Sequence, residues 1–344
     1  MSVNKVPVIR VDGPESGYGS ISRPGSSTSE STQLDDNNHK REMKGLFHMA
    51  LSALAFSLNS LLVKLGSAYF PSLQLVAARS IIQMSFGILS CLFLGIKVLG
   101  PRHLWSWLWL RGLFGSVGLA LFYFSITILP LADATVLFFT GPMFTSIFAA
   151  IFLGESFGGL DFIAAFLCLI GVTLCSKPSF LVDSGIPTLL ELIPGSTWSR
   201  AAGSGAALTG AVLSALAYVT VRKLGRSVHF LLHVTYFGMA SSIFSLTMAY
   251  SQNQLVPVRF DKGGLILVFI GLSACAGQCL LNSGLQLAPA GPGTLMRNLD
   301  VAFAFFYGIT IFNEIPDFYS ISGAILIVGC AVIMGLRKYF ATRS

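Results

Sequence analysis

From Pro130 to Glu155 the chain reads PLADATVLFFTGPMFTSIFAAIFLGE, and from Pro289 to Glu314 it reads PAGPGTLMRNLDVAFAFFYGITIFNE. The two stretches align without a gap at an offset of 159 positions: Pro130 falls on Pro289, Thr135 on Thr294, Phe144 on Phe303 and Glu155 on Glu314. The offset holds upstream, where Lys64-Leu65-Gly66 meets Lys223-Leu224-Gly225 and Gly112-Leu113 meets Gly271-Leu272. One unit is therefore written twice, and its parts are apolar runs near the ~20 residues that a bilayer core requires. Ten runs are expected, at 45–64, 72–95, 105–128, 131–153, 158–176, 203–222, 230–250, 263–286, 291–313 and 318–337. In hydrocarbon each must satisfy its own backbone, so each is expected to be a helix.

The fold class that follows is an all-α polytopic membrane protein of ten transmembrane helices, arranged as two inverted five-helix repeats. The inversion comes from parity, because five crossings per unit turn the second unit over. The expected organisation is a disordered cytosolic tail at 1–42, a first repeat at 43–177, an inter-repeat loop at 178–202, a second repeat at 203–338 and a cytosolic C-terminus at 339–344. The tail is rich in Ser, Gly, Pro, Asp and Asn and has too little apolar surface to offset chain entropy.

Charge excludes other classes. Only 11% of residues are charged against 53% hydrophobic, which leaves too little polar surface for a soluble chain of this length. The formal charge of +7 does not mark a nucleic-acid partner, because the basic residues stand at the ends of apolar runs. Eleven Lys and Arg fall on the face that carries both termini, among them Lys44, Lys97, Arg222, Arg226 and Lys338, and five fall on the other. The positive-inside rule places both termini in the cytosol. Runs of this length suit the plasma membrane and the endoplasmic reticulum or Golgi alike.

Three arginines remain inside the runs: Arg79, Arg111 and Arg297. An intramembrane charge costs at least ~2.5 kcal/mol at the span centre on insertion scales and marks a functional position by default. Arg79 and Arg297 are displaced from the middle of their runs toward opposite faces, an arrangement suited to an anionic solute. Either side chain has a structural alternative, snorkelling or pairing with an acid. Arg111 is nearest the cytosolic boundary and is expected to snorkel or to serve structurally. Asp300 shares a helical face with Arg297, so it either orients that guanidinium or binds a coupling proton or cation. Its repeat mate is Gly141, so the halves are not equivalent there. Gly141-Pro142 removes helical hydrogen bonds in mid-run, giving either a packing kink or a broken helix that lines a cavity. Glu155 and Glu314 recur at equivalent helix ends and are expected to gate or anchor. Asn59, Thr135, Gln278, Asn282, Thr294 and Asn298 are candidates to line the site, each with the alternative of an interhelical hydrogen bond. No catalytic or metal-binding spacing is present, so neither an enzyme nor a cofactor is implied.

Leu110-Arg111-Gly112-Leu113, Leu129-Pro130-Leu131-Ala132-Asp133-Ala134-Thr135 and Phe152-Leu153-Gly154-Glu155 resemble the EamA-type repeat of the drug/metabolite transporter superfamily. Arg297-Asn298-Leu299-Asp300-Val301 and Phe312-Asn313-Glu314 are most similar to solute carrier family 35, subfamily G. The resemblance covers residues 45–338. It implies a cavity surrounded by helices 1–4 and 6–9, with helices 5 and 10 peripheral and available for a homodimer contact. It also implies organic anions of the citrate kind as substrates, whereas the lysine-centred motifs of nucleotide-sugar carriers are absent. The leading expectation is a secondary transporter of a small anionic solute working by alternating access. The alternatives are a nucleotide-sugar or other metabolite exchanger of endomembranes and a non-transporting adaptor that acts through its tail.

Overall fold

The need to pair every backbone group internally leaves its mark throughout: among the described residues, every regular element is helical. A computed structural model describes residues 26–128, 134, 137–155, 158–176, 196–253, 255–258, 261–312 and 318–340. The helices are α1 (Ser26–Gly66), α2 (Ser72–Phe93), α3 (Trp105–Ile128), α4 (Gly141–Leu153), α5 (Gly159–Ser176), α6 (Ser196–Leu224), α7 (Phe230–Ser251), α8 (Lys262–Leu287), α9 (Ala290–Arg297), α10 (Leu299–Phe312) and α11 (Phe318–Phe340). Among the described residues, six helical stretches, two of which take in an adjoining 3-10 turn, are long and apolar enough to cross a membrane: Asn37–Gly66, Leu73–Phe93, Arg102–Ser125, Ala202–Ser227, Phe230–Ser251 and Lys262–Leu287. Gly141–Leu153, Gly159–Leu174 and Ile321–Ile333 are shorter apolar helices. Phe93, Leu89, Ile151, Ile243 and Ile325 face outward from the bundle, as a lipid solvent permits.

Two expected runs are divided. The run at 291–313 is two helices, α9 and α10, separated by a turn at Asn298. In the first half, α4 starts only at Gly141, after a turn at Phe139 and Thr140. Asn298 and Phe139 are repeat mates, so the interruption recurs at one register. Gly141-Pro142 explains only the first break. Pro142 sits in the first turn of α4, where its missing N–H has no helical partner to lose.

The N-terminal end also differs from the sequence expectation. Residues 26–42, read as part of a disordered tail, are the opening turns of α1. Low apolar content rules out a core but not a helix that grows back from an anchored span, since propagation adds one hydrogen bond per residue without a new nucleus.

Four long contacts hold the bundle: α1 lies along α8, α3 along α6, α2 along α7 and α5 along α11. Small residues set their closeness, as expected where helices gain no hydrophobic drive from lipid. A Cβ on Gly118 of α3 would stand 2.9 Å from the Gly210 carbonyl oxygen of α6, and one on Gly210 would stand 2.8 Å from the Gly118 oxygen. The α2–α7 contact adds buried hydrogen bonds, Ser80 Oγ with Ser241 Oγ at 2.8 Å and Gln83 Nε2 to the Val234 carbonyl at 3.1 Å. On α1, Asn59 Nδ2 donates to the Ile270 carbonyl of α8 at 2.8 Å.

Candidate functional site

Where the long helices diverge they leave a cavity of about 720 Å³. It runs along α1 from Phe56 to Ser67 and reaches the exposed Lys64 and Ser67 at the end of that helix. Its walls come from both halves: α2 gives Arg79, α3 gives Arg111 and Tyr123, α6 gives Tyr218, α8 gives Gln278, and α9 and α10 give Arg297 and Asp300. Among the described residues that line it, four cationic side chains face one carboxylate.

Each guanidinium is held differently. Arg79 is buried, with the Tyr123 hydroxyl nearby. Arg111 is 2% exposed; its Nη2 donates to Gln278 Oε1 and Asn282 Oδ1, both at 3.1 Å, and its guanidinium carbon lies 4.7 Å from the centre of the Phe237 ring. Its Nε and Nη1 have no hydrogen-bond partner. Arg297 Nη1 donates to the Tyr218 hydroxyl, its guanidinium carbon lies 4.9 Å from the Phe56 ring centre, and its Nε is unpartnered. A ring face steadies a cation without consuming its N–H donors. Arg111 and Arg297 thus keep donors free inside a cavity with a low-dielectric wall, which is how an anion site is built.

The expected residues divide as follows. Arg79, Arg111, Arg297, Asp300, Asn59 and Gln278 line the cavity. Arg111 does not snorkel to a boundary: the polar edge of α8, Gln278 and Asn282 one turn apart, reaches it and replaces the water it would otherwise seek. Asn282 is fully buried behind it as a positioning residue, with Nδ2 donating to the Gln278 carbonyl at 2.6 Å. Asp300 and Arg297 are three residues apart across Asn298, whose dihedrals stay helical at φ −64° and ψ −10°, and Arg297 acts on Asp300 as a nearby charge while donating its Nη1 hydrogen bond to Tyr218. Asn298 is buried outside the lining and donates from Nδ2 to Cys168 Sγ at 3.3 Å. Thr294 donates back to the Ala290 and Gly291 carbonyls of its own helix, so it is not part of the lining. Gly141 and Pro142 are buried at the start of α4. Thr135 and Glu314 lie outside the described residues.

Glu155 joins the end of α4 to α6 and α9. Gly154 terminates α4 in the left-handed region at φ +65°, and the next residue, Glu155, holds two partners. Its Oε1 accepts from Arg222 Nε at the end of α6 at 2.6 Å, and its Oε2 accepts from the backbone N–H of Ala290, the first residue of α9, at 2.8 Å. A carboxylate at a helix N-terminus meets both the free N–H groups and the positive end of the dipole. None of Glu155, Arg222 and Ala290 is among the described residues that line the cavity.

Sequence reasoning missed Tyr218, Phe56 and Phe237. A signal existed for the first: Tyr218 is the repeat mate of Asn59, itself a candidate. The phenylalanines carry no such mark among the 28 in the chain.

A profile described as the EamA-like transporter family matches residues 43–177 and again residues 201–336. The human protein solute carrier family 35 member G1 is 34% identical over 299 residues, covering 86% of this chain and 80% of that one. The pseudopaline exporter CntI of Pseudomonas aeruginosa (strain UCBPP-PA14) is 27% identical over 294 residues, covering 86% and 96%. One solved crystal structure, 19% identical, superposes with a TM-score of 0.70 over 85% of this chain and 98% of its own, a likeness of fold alone.

Proposed function

The chain belongs to the EamA-like transporter family, and we propose that within it this protein carries a small organic anion of the citrate kind across a bilayer by alternating access. The observation that carries the reading is the cavity's three guanidinium groups, Arg79, Arg111 and Arg297, two of which retain unpartnered N–H groups. A carboxylate accepts two parallel N–H bonds from such a fork, and several carboxylates on one small molecule would engage several forks.

Two inverted repeats, at 43–177 and 203–338, are part of this reading. The packing supports them: α1 on α8 and α3 on α6 exchange places under the 159-residue offset, while α2 on α7 and α5 on α11 are contacts between mates. Such a two-fold relation leaves the site between the halves. With both termini cytosolic, the mouth at Lys64 faces the outer or lumenal side and the Glu155–Arg222–Ala290 cluster seals the cytosolic side.

Radiolabelled citrate counterflow in proteoliposomes tests the proposal, with saturable uptake against unlabelled internal citrate as the expected result. The aromatic wall favours a second reading, since Phe122 and Phe138 stack with centroids 4.3 Å apart and a nucleobase could join such a stack. Trans-stimulation by a nucleoside monophosphate, with no citrate counterflow, would replace the first reading with a nucleotide-sugar exchanger.

A further inference from the structure

Asp300 stands in the cavity with one oxygen unclaimed: Oδ1 is buried and has no hydrogen-bond partner. Arg297 acts on it as a nearby charge, but the hydrogen bond from Arg297 Nη1 goes to Tyr218. The titratable and charged groups around it come from every neighbouring element. They are Lys64 on α1, Cys168 on α5, Arg297 on α9, Tyr307 on its own helix and Cys330 on α11. Across the cavity stand Arg79, Arg111, Tyr123 and Tyr218. Among the described lining residues Asp300 is the sole carboxylate, so a proton entering the cavity has one acidic seat.

We propose that Asp300 is a proton-coupling site, which takes up one proton when an organic anion occupies the arginines and crosses the bilayer with it. This rests on the anion reading above. An ionised carboxylate with an unbonded oxygen persists in an apolar-walled cavity because guanidinium charges offset it. An arriving anion claims the same guanidinium groups, and its own charge then opposes that of Asp300. Uptake of a proton removes the conflict. Linkage makes the effect reciprocal: the proton tightens the anion's hold by the factor with which the anion tightens the proton's. On the side where the proton is lost, the restored negative charge expels the cargo.

The test uses the full chain in phosphatidylcholine vesicles with trapped pyranine, the voltage clamped at zero by potassium and valinomycin, and citrate as the probe. Between about pH 7 and pH 8 citrate is mainly trivalent, and the Asp300 variants separate a proton carried by the protein from one carried on citrate. One proton per anion sustains roughly tenfold internal accumulation for one pH unit, acid outside, because a pH unit and a tenfold concentration ratio are the same free energy. Uptake also acidifies the interior, which the dye reads. In Asp300→Asn the ratio of uptake with and without the gradient falls to about 1 and the dye signal disappears; Asp300→Glu restores both. If Asp300→Asn carries no citrate at all, gradient-driven accumulation in Asp300→Glu supports the assignment and its absence overturns it. Wild-type counterflow at equal pH, with neither accumulation under the gradient nor a dye signal, overturns the coupling and leaves the anion reading standing. Absence of counterflow overturns both. A sodium gradient that replaces the proton gradient, or a proton signal that survives in Asp300→Asn, overturns the assignment to this carboxylate and proton.

Discussion

Glu155→Ala removes both contacts that tie α4 to α6 and α9. The Arg222–Glu155 pair is short, at 2.6 Å, with side chains 24% and 18% exposed, so water screens it only in part. A charge-assisted hydrogen bond of this kind contributes about 1.5 kcal/mol at the low end of its range, where partial exposure places it. The Ala290 N–H loses its acceptor as well, and a lost helix cap costs ~1 kcal/mol. Together they make about 2–3 kcal/mol, hence roughly a 30- to 150-fold rise in the fraction of molecules open at that end. The assay is labelling of Ser214→Cys, a cavity residue, by a bulky impermeant thiol reagent added on the Glu155 side of oriented vesicles. The native cysteines are replaced for the measurement. When opening and closing outpace the reagent, the rate follows the open fraction, as it does for cleavage of transiently opened chains. The rate should rise by that factor in Glu155→Ala and by about tenfold in Arg222→Ala, which spares the Ala290 bond. A rate unchanged within about twofold in Glu155→Ala would refute the idea that these contacts hold the end shut.

Three further outcomes follow from the site and the packing. Replacing Arg111 or Arg297 with Gln should weaken half-saturation by citrate by about 2–5 kcal/mol, or at least roughly 30-fold; Thr294→Ala, which faces its own helix, should leave it near the wild-type value, and equal behaviour of all three would discredit the site. Tyr218→Phe removes the acceptor of a part-buried Arg297 donor and should cost ~1 kcal/mol of stability, read as a lower melting temperature in detergent that citrate partly restores by taking the donor. Gly210→Ala drives a methyl to within 2.8 Å of the Gly118 oxygen and should lower the melting temperature by an overpacking cost of ~1–3 kcal/mol, whereas Gly205→Ala, whose Cβ meets nothing within 4 Å, should not.

How far the sequence leads depends on the range of each interaction. Apolar length and the repeat offset are written locally, so the long helices and the doubled unit were legible before any coordinate. Arg79, Arg297 and Asp300 were legible as residues too, because a charge inside an apolar run is conspicuous at any resolution. Their relations were not. That Arg297 gives a hydrogen bond to Tyr218 could not be read from its own helix, since Tyr218 lies 79 positions away. Asn298 likewise meets Cys168, 130 positions away. Arg111 looked like a boundary residue when judged by its place in α3, since nothing in that helix announces Gln278 and Asn282, 167 and 171 positions away. Glu155 was marked out by its repeat mate Glu314, but its partners were not legible, because one is a side chain 67 positions on and the other is a bare peptide nitrogen.

Helix α9 is eight residues long, roughly 12 Å at 1.5 Å per residue. One tip is fastened by Glu155 and the other bears Arg297. A rod so short does not bend appreciably, so a shift of its Arg297 end moves its Ala290 end with it. On the proposed reading, the cargo's anchor and the far door's fastening are the two tips of a single rigid strut.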